Sequence, residues 1–233
     1  PEAAVPEITR GEELAPDKFI KILDKNGYFE VISLSEDDKK RNEMYKANAL
    51  RKTQEESFGD YREFLKSLEM KAVIAGFDPV HFSRIAQLTN KSNQFNLTTR
   101  RFTQAEIEKI AEDPAYITLY GKLTDKFGDN GVVSLVIGRI EGNILHVELW
   151  LMSCRVLKRD MEFAMMDALV EAGEEKEISK IMGYYYPTPK NAMVKNFYEI
   201  QGFTRVEEDK EGNTVWQFEI KEDYKKKNGV ILV

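Results

Sequence analysis

Ile144–Ala172, ILHVELWLMSCRVLKRDMEFAMMDALVEA, places a strand, a short basic turn and a helix in direct succession. Ile144 to Ser153 reads as a strand. Arg155-Val156-Leu157-Lys158-Arg159-Asp160 breaks that run with three cations and a carboxylate. A helix from about Arg159 to Ala172 follows, and Ile178 to Tyr186 reads as the next strand. A strand, a helix and a strand at this spacing predict a right-handed parallel crossover.

Working upstream, Ala115–Lys126 and Val132–Ile140 are two further strand-like runs. Turn signals separate them, Gly128-Asp129-Asn130-Gly131 and then Glu141-Gly142-Asn143, so three consecutive strands form an antiparallel meander. Lys71–Phe77 reads as an earlier strand, and Asp78-Pro79 opens a helix running towards Asn90. Thr103 and Glu106 have capping-box spacing before a helix that ends near Asp113-Pro114. Downstream, a helix is expected over Lys190–Gln201, with closing strands at Phe203–Glu207 and Thr214–Ile220. The order predicts an α/β (α+β) fold with a mixed central sheet flanked by helices.

Residues 1–68 differ in texture, being charged and helical in pattern. Helices are expected at Asp17–Lys25, from an N-cap at Ser35 to about Glu56, and at Tyr61–Leu68. This segment reads as a helical appendage to a domain covering residues 69–233.

The 233 residues carry a net charge of −6 and a single cysteine. An acidic chain is a poor partner for nucleic acid, and one cysteine forms no internal disulfide. No apolar run reaches the roughly 20 residues that span a bilayer. A cytoplasmic protein with neither membrane nor nucleic acid as partner is the expectation. Two separated histidines and one cysteine give no metal-ligand cluster.

The element order resembles that of the GNAT acyltransferases, and two motifs sit where that resemblance needs them. In GNAT proteins the turn before the crossover helix has the form R/Q-x-x-G-x-G/A, whose backbone N–H groups wrap the pyrophosphate of coenzyme A. Arg155, Val156, Lys158 and Arg159 would line it here, but Lys158 and Asp160 replace the two glycines. Side chains obstruct the close approach of backbone to phosphate, so a phosphopantetheine arm asks less of this loop than coenzyme A. A basic turn with no ligand is the plainer reading. Asn191–Phe203 (NAMVKNFYEIQGF) matches the N-x-x-A/V-x-x-F/L-Y-x-x-x-G-F pattern of the superfamily. By that resemblance Tyr198 protonates a leaving thiolate and Asn191 lines the cofactor cleft. Alternatively Phe197, Tyr198 and Phe203 are the packed face of a late helix.

Longer strings narrow the resemblance. Gln87–Thr103 (QLTNKSNQFNLTTRRFT), Leu119–Gly131 (LYGKLTDKFGDNG) and Leu149–Val156 (LWLMSCRV) look like the signature of FkbH-like proteins, which join a HAD-type phosphatase-like domain to a GNAT-like domain. The resemblance implies transfer of a glyceryl-type unit from a small acyl donor to an acyl carrier protein. The D-x-D-x-[TV] loop of a HAD domain is absent from this sequence, so no phosphatase activity is expected of it.

Cys154 ends the third meander strand, beside the opening between strands where a GNAT fold holds its thioester. A thiolate there, with Arg155 and a helix N-terminus near it, suits acyl capture; a small buried core residue is the other reading. His146 shares strand parity with Cys154 but lies eight residues away, roughly 26 Å of strand, too far to be its base. In the polar string Asn90–Arg101, Asn93, Gln94 and Asn96 suit hydroxyls or an acyl oxygen. Arg100 and Arg101 suit a phosphate or an acidic carrier helix. The string is too rich in amides and hydroxyls to be expected in the core.

Overall fold

The computed structural model describes residues 36–233. The expected helix at Asp17–Lys25 and the Ser35 cap lie outside the described residues. Residues 46–233 form one compact unit, and helix α1 spans Glu36–Glu55. Helix α2 (Tyr61–Ser67) begins at an Asp60 N-cap that accepts from the Glu63 amide, and Phe64, Leu65 and Leu68 are buried in that unit's core.

Eight strands form one sheet in the order β1 (Lys71–Ala75), β3 (Tyr116–Asp125), β4 (Gly128–Glu141), β5 (Ile144–Met152), β6 (Lys180–Tyr185), β8 (Thr214–Glu219), β7 (Thr204–Glu208). The eighth, β2 (Phe95–Asn96), pairs with β5 away from that path. Only the β5–β6 pair is parallel, as the crossover requires. Helix α3 (Phe82–Lys91) starts later than Asp78-Pro79 suggests, because Asp78 holds the His81 amide in a turn first. Helix α4 (Gln104–Glu112) has the complete Thr103/Glu106 capping box.

Apolar residues fall on both faces of the sheet. Helices α3 and α4 cover one, through Ile85, Leu88 and Ile107; α5 (Met161–Glu175) covers the other, through Met161, Met165 and Leu169. β5 contributes to both cores, and its allocation switches at one residue. Leu145 and Val147 point to the α5 side, but so do Trp150 and Met152, while Leu149 and Leu151 point to the α3/α4 side. The cause is a bulge. Ile137 pairs with Leu149 and Gly138 with Val147, leaving Glu148 as an extra residue. One inserted residue inverts every side chain beyond it and bends the strand. The shared parity of His146 and Cys154 is lost at this bulge.

Past the bulge, β5 leaves β6. Their pairing runs from Ile144–Lys180 to Val147–Gly183 and stops. Gly183 also takes the Tyr198 ring, since a Cβ there would lie 2.3 Å from its nearest ring carbon. The expected single helix over Lys190–Gln201 is two shorter pieces, a 3₁₀ turn at Ala192–Val194 and α6 (Phe197–Ile200). Asn191 (φ −106°, ψ 14°) and Asn196 (φ −98°, ψ 13°) precede each piece outside helical geometry.

Candidate functional site: the mouth of the β5/β6 gap

A strand pair that diverges leaves unpaired N–H and C=O groups on both inner edges, and buried groups of that kind need partners. Here the chain supplies them from its own polar string. Phe95 pairs with Met152 and Asn96 with Leu151. The Leu97 amide donates to the Trp150 carbonyl at 3.1 Å, and the Tyr186 amide donates to the Leu97 carbonyl at 2.9 Å. Thr98 Oγ1 donates to the Glu148 carbonyl at 2.7 Å. The segment Phe95–Thr98 thus lies between β5 and the end of β6 as an extra strand. Asn96 and Leu97 are wholly buried. The expectation that the string Asn90–Arg101 is too polar for the core is corrected at these residues, because the pairing satisfies their polar groups.

Asn191 fastens the insert. Its Nδ2 donates to the carbonyls of Asn96 (3.0 Å) and Tyr186 (2.9 Å), while its Oδ1 accepts from the Thr188 amide at 2.7 Å. Asn96 Oδ1 accepts from the Thr99 amide, which lets Thr99 turn at φ 54°. Arg101 donates to the carbonyls of Thr89 and Asn90 and to Asn93 Oδ1, and so braces the loop. Gln94 is exposed at its outer end. The amides of Asn93 and Asn96 are engaged within the loop itself.

Arg100 goes elsewhere. Together with Arg139 it holds Glu148, the bulged residue, at 2.5 and 2.9 Å. His146 Nδ1 lies 2.7 Å from Tyr184 Oη, and Nε2 lies 3.4 Å from Glu141. Arg100, Arg139, His146, Glu148 and Tyr184, with Thr98 and Tyr186, line a cavity of about 180 Å³ at the inner end of the insert. The spacing of single residues in the sequence gave no sign of this cluster, since it needs the bulge and the loop crossing together.

At the outer end stands the basic turn. Cys154 opens a 3₁₀ turn (Cys154–Val156) capped by Ser153, and it is exposed, not a core residue. Arg155 is half-buried, and Val156 is wholly buried as a packing residue. Lys158 (φ 64°) and Asp160 (φ 60°) adopt the left-handed backbone that glycines would take at these positions. The turn keeps a glycine-loop path with side chains at both glycine positions. Arg159 turns inward. It donates to Asp125 at 3.0 Å beside Arg51, which grips the same carboxylate with two bonds of 2.8 Å. Tyr61 Oη donates to the Lys158 carbonyl at 2.8 Å. Burial pushes the Asp160 and Glu162 carboxyls above their ordinary range, so the first turn of α5 has desolvated acids where a phosphate would sit.

Tyr198 is 1% exposed, in an aromatic cluster with Phe197 at 5.3 Å and Phe203 at 4.9 Å between centroids. Its hydroxyl makes no hydrogen bond of normal geometry among the described residues, and burial raises its pKa strongly. Of the residues singled out in the sequence, Asn191 and Asn96 are hydrogen-bonded at the insert, and Cys154 follows the strand that Phe95 pairs with. Arg159 and Tyr198 are drawn into the interior instead. Among the described residues no group of His, Cys, Asp and Glu forms a metal site, and no helix is long and apolar enough to cross a membrane.

Solved structures share this architecture. The fold is the GNAT acyltransferase fold. A GNAT-family acetyltransferase from Streptococcus pneumoniae superposes with a TM-score of 0.52 at 14% identity, covering 65% of this chain and 100% of its own. Ard1 from Thermoplasma volcanium gives 0.50 at 17% identity, over 65% of this chain and 99% of its own. Rv2747 from Mycobacterium tuberculosis, solved with CoA and NLQ, gives 0.50 at 10% identity, over 64% and 99%. No family model and no curated protein sequence matches the chain.

A coenzyme A thioester laid between β5 and β6 does not fit these residues. Phe95–Thr98 already uses the strand edges, and Lys158 and Asp160 stand at the glycine positions of the turn, with the desolvated Glu162 carboxyl near Asp160.

Proposed function

We propose that this chain is an acyl-transfer domain of FkbH-like type that hands a glyceryl-type unit to the thiol of an acyl carrier protein. The transfer takes place at the mouth of the β5/β6 gap, not inside it. The observation that carries this reading is the filled gap: with Phe95–Thr98 paired to β5, thioester chemistry has only the outer end, where Cys154 is exposed. In this reading Cys154 Sγ attacks the carbonyl carbon of the donor thioester, and the donor's thiol leaves with the proton that Cys154 gave up. The carrier thiol then attacks the acyl group on Cys154, and the cysteine recovers a proton as the new carrier thioester forms. Arg155, next in the chain, is the nearest cation in sequence to the developing oxyanion, and Tyr198 acts by packing.

A second reading is a docking module that binds the carrier and does no chemistry. The side chains of Lys158 and Asp160 in the turn and the inward Arg159 favour it. A third, an acetyl-CoA-dependent N-acetyltransferase, is compatible with the fold, and the filled gap together with Lys158 and Asp160 in the turn counts against it.

One experiment separates the three. The chain is incubated with an acyl-loaded carrier protein and followed by intact mass, alongside calorimetric titration with coenzyme A. An acyl adduct on the chain, absent from Cys154→Ala, supports transfer. Carrier binding without an adduct supports docking alone. Saturable coenzyme A binding with neither an adduct nor carrier binding supports the acetyltransferase and sinks the first two readings.

A further inference from the structure

Three loops converge at the mouth of the gap, and their charge is opposite to that of the molecule. β5 and β6 are parallel, so the loops leaving their C-terminal ends emerge on one side of the sheet. β2 runs antiparallel to β5, so the residues before Phe95 enter from that same side. β2 also lies against the 3₁₀ turn Ala192–Val194, which closes the ring. The segments are Lys91–Gln94, Ser153–Asp160 and Tyr186–Asn196. Lys91, Lys158, Lys190 and Lys195 are exposed in them and Arg155 half-exposed. Asp160 is the one acid in these three segments, and burial raises its pKa. Arg159 is spent on Asp125. A chain of net charge −6 thus carries five cations on three loops at one end of the gap, one of which also bears the exposed thiol.

The rim has an apolar element too. Met193 is 57% exposed, between Lys190 and Lys195 in the chain. Cations with an exposed methionine among them suit a protein surface better than a free phosphate, which has nothing to place on a thioether.

We propose that this rim is the docking surface for an acidic carrier protein, with Lys158, Lys190 and Lys195 receiving carboxylates of its surface and Met193 its apolar contact. The proposal rests on the carrier-handling reading above and supplies the surface it needs. Docking there brings a prosthetic thiol to the exposed Cys154 without opening the gap. Charge complementarity of this kind sets encounter rate and orientation, and it weakens as salt screens it.

Two probes are titrated into the nitrogen-15-labelled chain and followed through its amide resonances: an octaglutamate peptide and a phosphopantetheinylated acyl carrier protein. Expected are salt-sensitive shifts in 91–94, 154–158 and 190–195 with both probes. Lys190→Glu/Lys195→Glu should weaken carrier binding about ten-fold, and Lys109→Glu on α4 less than about two-fold. Octaglutamate shifts that are absent or lie elsewhere overturn the surface. Carrier binding that the double variant leaves unchanged overturns it too, while the carrier-handling reading survives. Octaglutamate binding at the rim with no carrier binding overturns the proposal through its partner and sinks the carrier-handling reading with it.

Discussion

Asn191 Nδ2 donates to the Asn96 carbonyl at 3.0 Å across 95 residues of chain, and this bond closes the gap between β5 and β6. The same amide nitrogen reaches the Tyr186 carbonyl, so one wholly buried side chain ties the insert to the end of β6. Asparagine is needed there because its amide donates twice and accepts from the Thr188 backbone at once. Asn191→Ala leaves two buried carbonyls and one amide short of partners, at a cost of about 3 kcal/mol. Urea unfolding should show that loss. Hydrogen exchange should show a local one as well: the Leu97 and Tyr186 amides, slow in the parent, exchange quickly in the variant. Equal protection in both proteins would mean the insert holds without its fastening.

Asp125 predicts a pH dependence. Its side chain is wholly buried between Arg51 and Arg159. Burial alone would raise its pKa; the Arg51 hydrogen bonds, the Phe127 amide and both guanidinium charges lower it further than that, to a net value below the usual carboxylate range. A carboxyl with a depressed native pKa stabilises the fold above its unfolded pKa of about 3.9, and the contribution is lost as pH falls through the lower native value. Urea midpoints measured from pH 7 to pH 2.5 should therefore hold steady in this group's contribution to about pH 4 and then fall. Asp125→Ala leaves two buried guanidiniums facing each other and should cost about 4 kcal/mol near neutrality. A variant as stable as the parent at pH 7 would show that the arginines reach water.

Cys154 should be alkylated by iodoacetamide in the folded chain, because it is exposed on the turn after β5. Its rate at neutral pH is expected within about ten-fold of an unstructured cysteine peptide, and Cys154→Ala should leave the urea midpoint unchanged. A thiol that reacts only in denaturant contradicts the placement.

The meander and the crossover were legible in the sequence because each strand of five residues or more repeats its pattern often enough to be read. The Thr103 capping box was legible for a different reason, being a purely local exchange between residues three apart. β2 was not. A two-residue strand has no period, and Phe95–Asn96 is buried by what it pairs with, 55 and more residues away. The bulge at Glu148 was equally hidden, since no residue type demands it, yet it decides which way Trp150 points. Lys158 and Asp160 were legible as departures from a glycine pattern. That they keep the left-handed backbone was not, because side-chain identity alone argues against it.

Tyr198 offers a test between packing and proton donation. Its hydroxyl is buried without a well-formed hydrogen bond, and burial holds the phenol neutral well above its ordinary range. A buried hydroxyl of that kind contributes little to stability, so Tyr198→Phe should leave it unchanged or raise it by about 1 kcal/mol. Acyl-adduct formation should be unaffected. A large fall in adduct formation at unchanged stability would return Tyr198 to a role in proton transfer. Gly183→Ala, which presses a methyl into the same ring, should instead cost about 2 kcal/mol.

The turn and the gap can be separated by restoring glycine. Lys158 and Asp160 carry side chains at φ 64° and 60°, a region that costs a non-glycine residue about 1 kcal/mol. Lys158→Gly and Asp160→Gly should each raise stability by about that amount, less whatever Asp160 gains from its attraction to Arg62. The double variant has a pyrophosphate loop of the usual form and one desolvated acid fewer beside it. If the loop were the only obstacle, coenzyme A would now bind. The pairing of Phe95 with Met152 and of Leu97 with Trp150 is untouched by these changes, so the path for the pantetheine arm stays filled. Calorimetry should therefore detect no saturable coenzyme A binding to the double variant. Adding Asn191→Ala to the same background loosens the insert as well, and binding that appears only in that triple variant identifies Phe95–Thr98 as the barrier. Binding already present in the double variant would place the barrier in the turn alone and make the insert incidental to ligand choice.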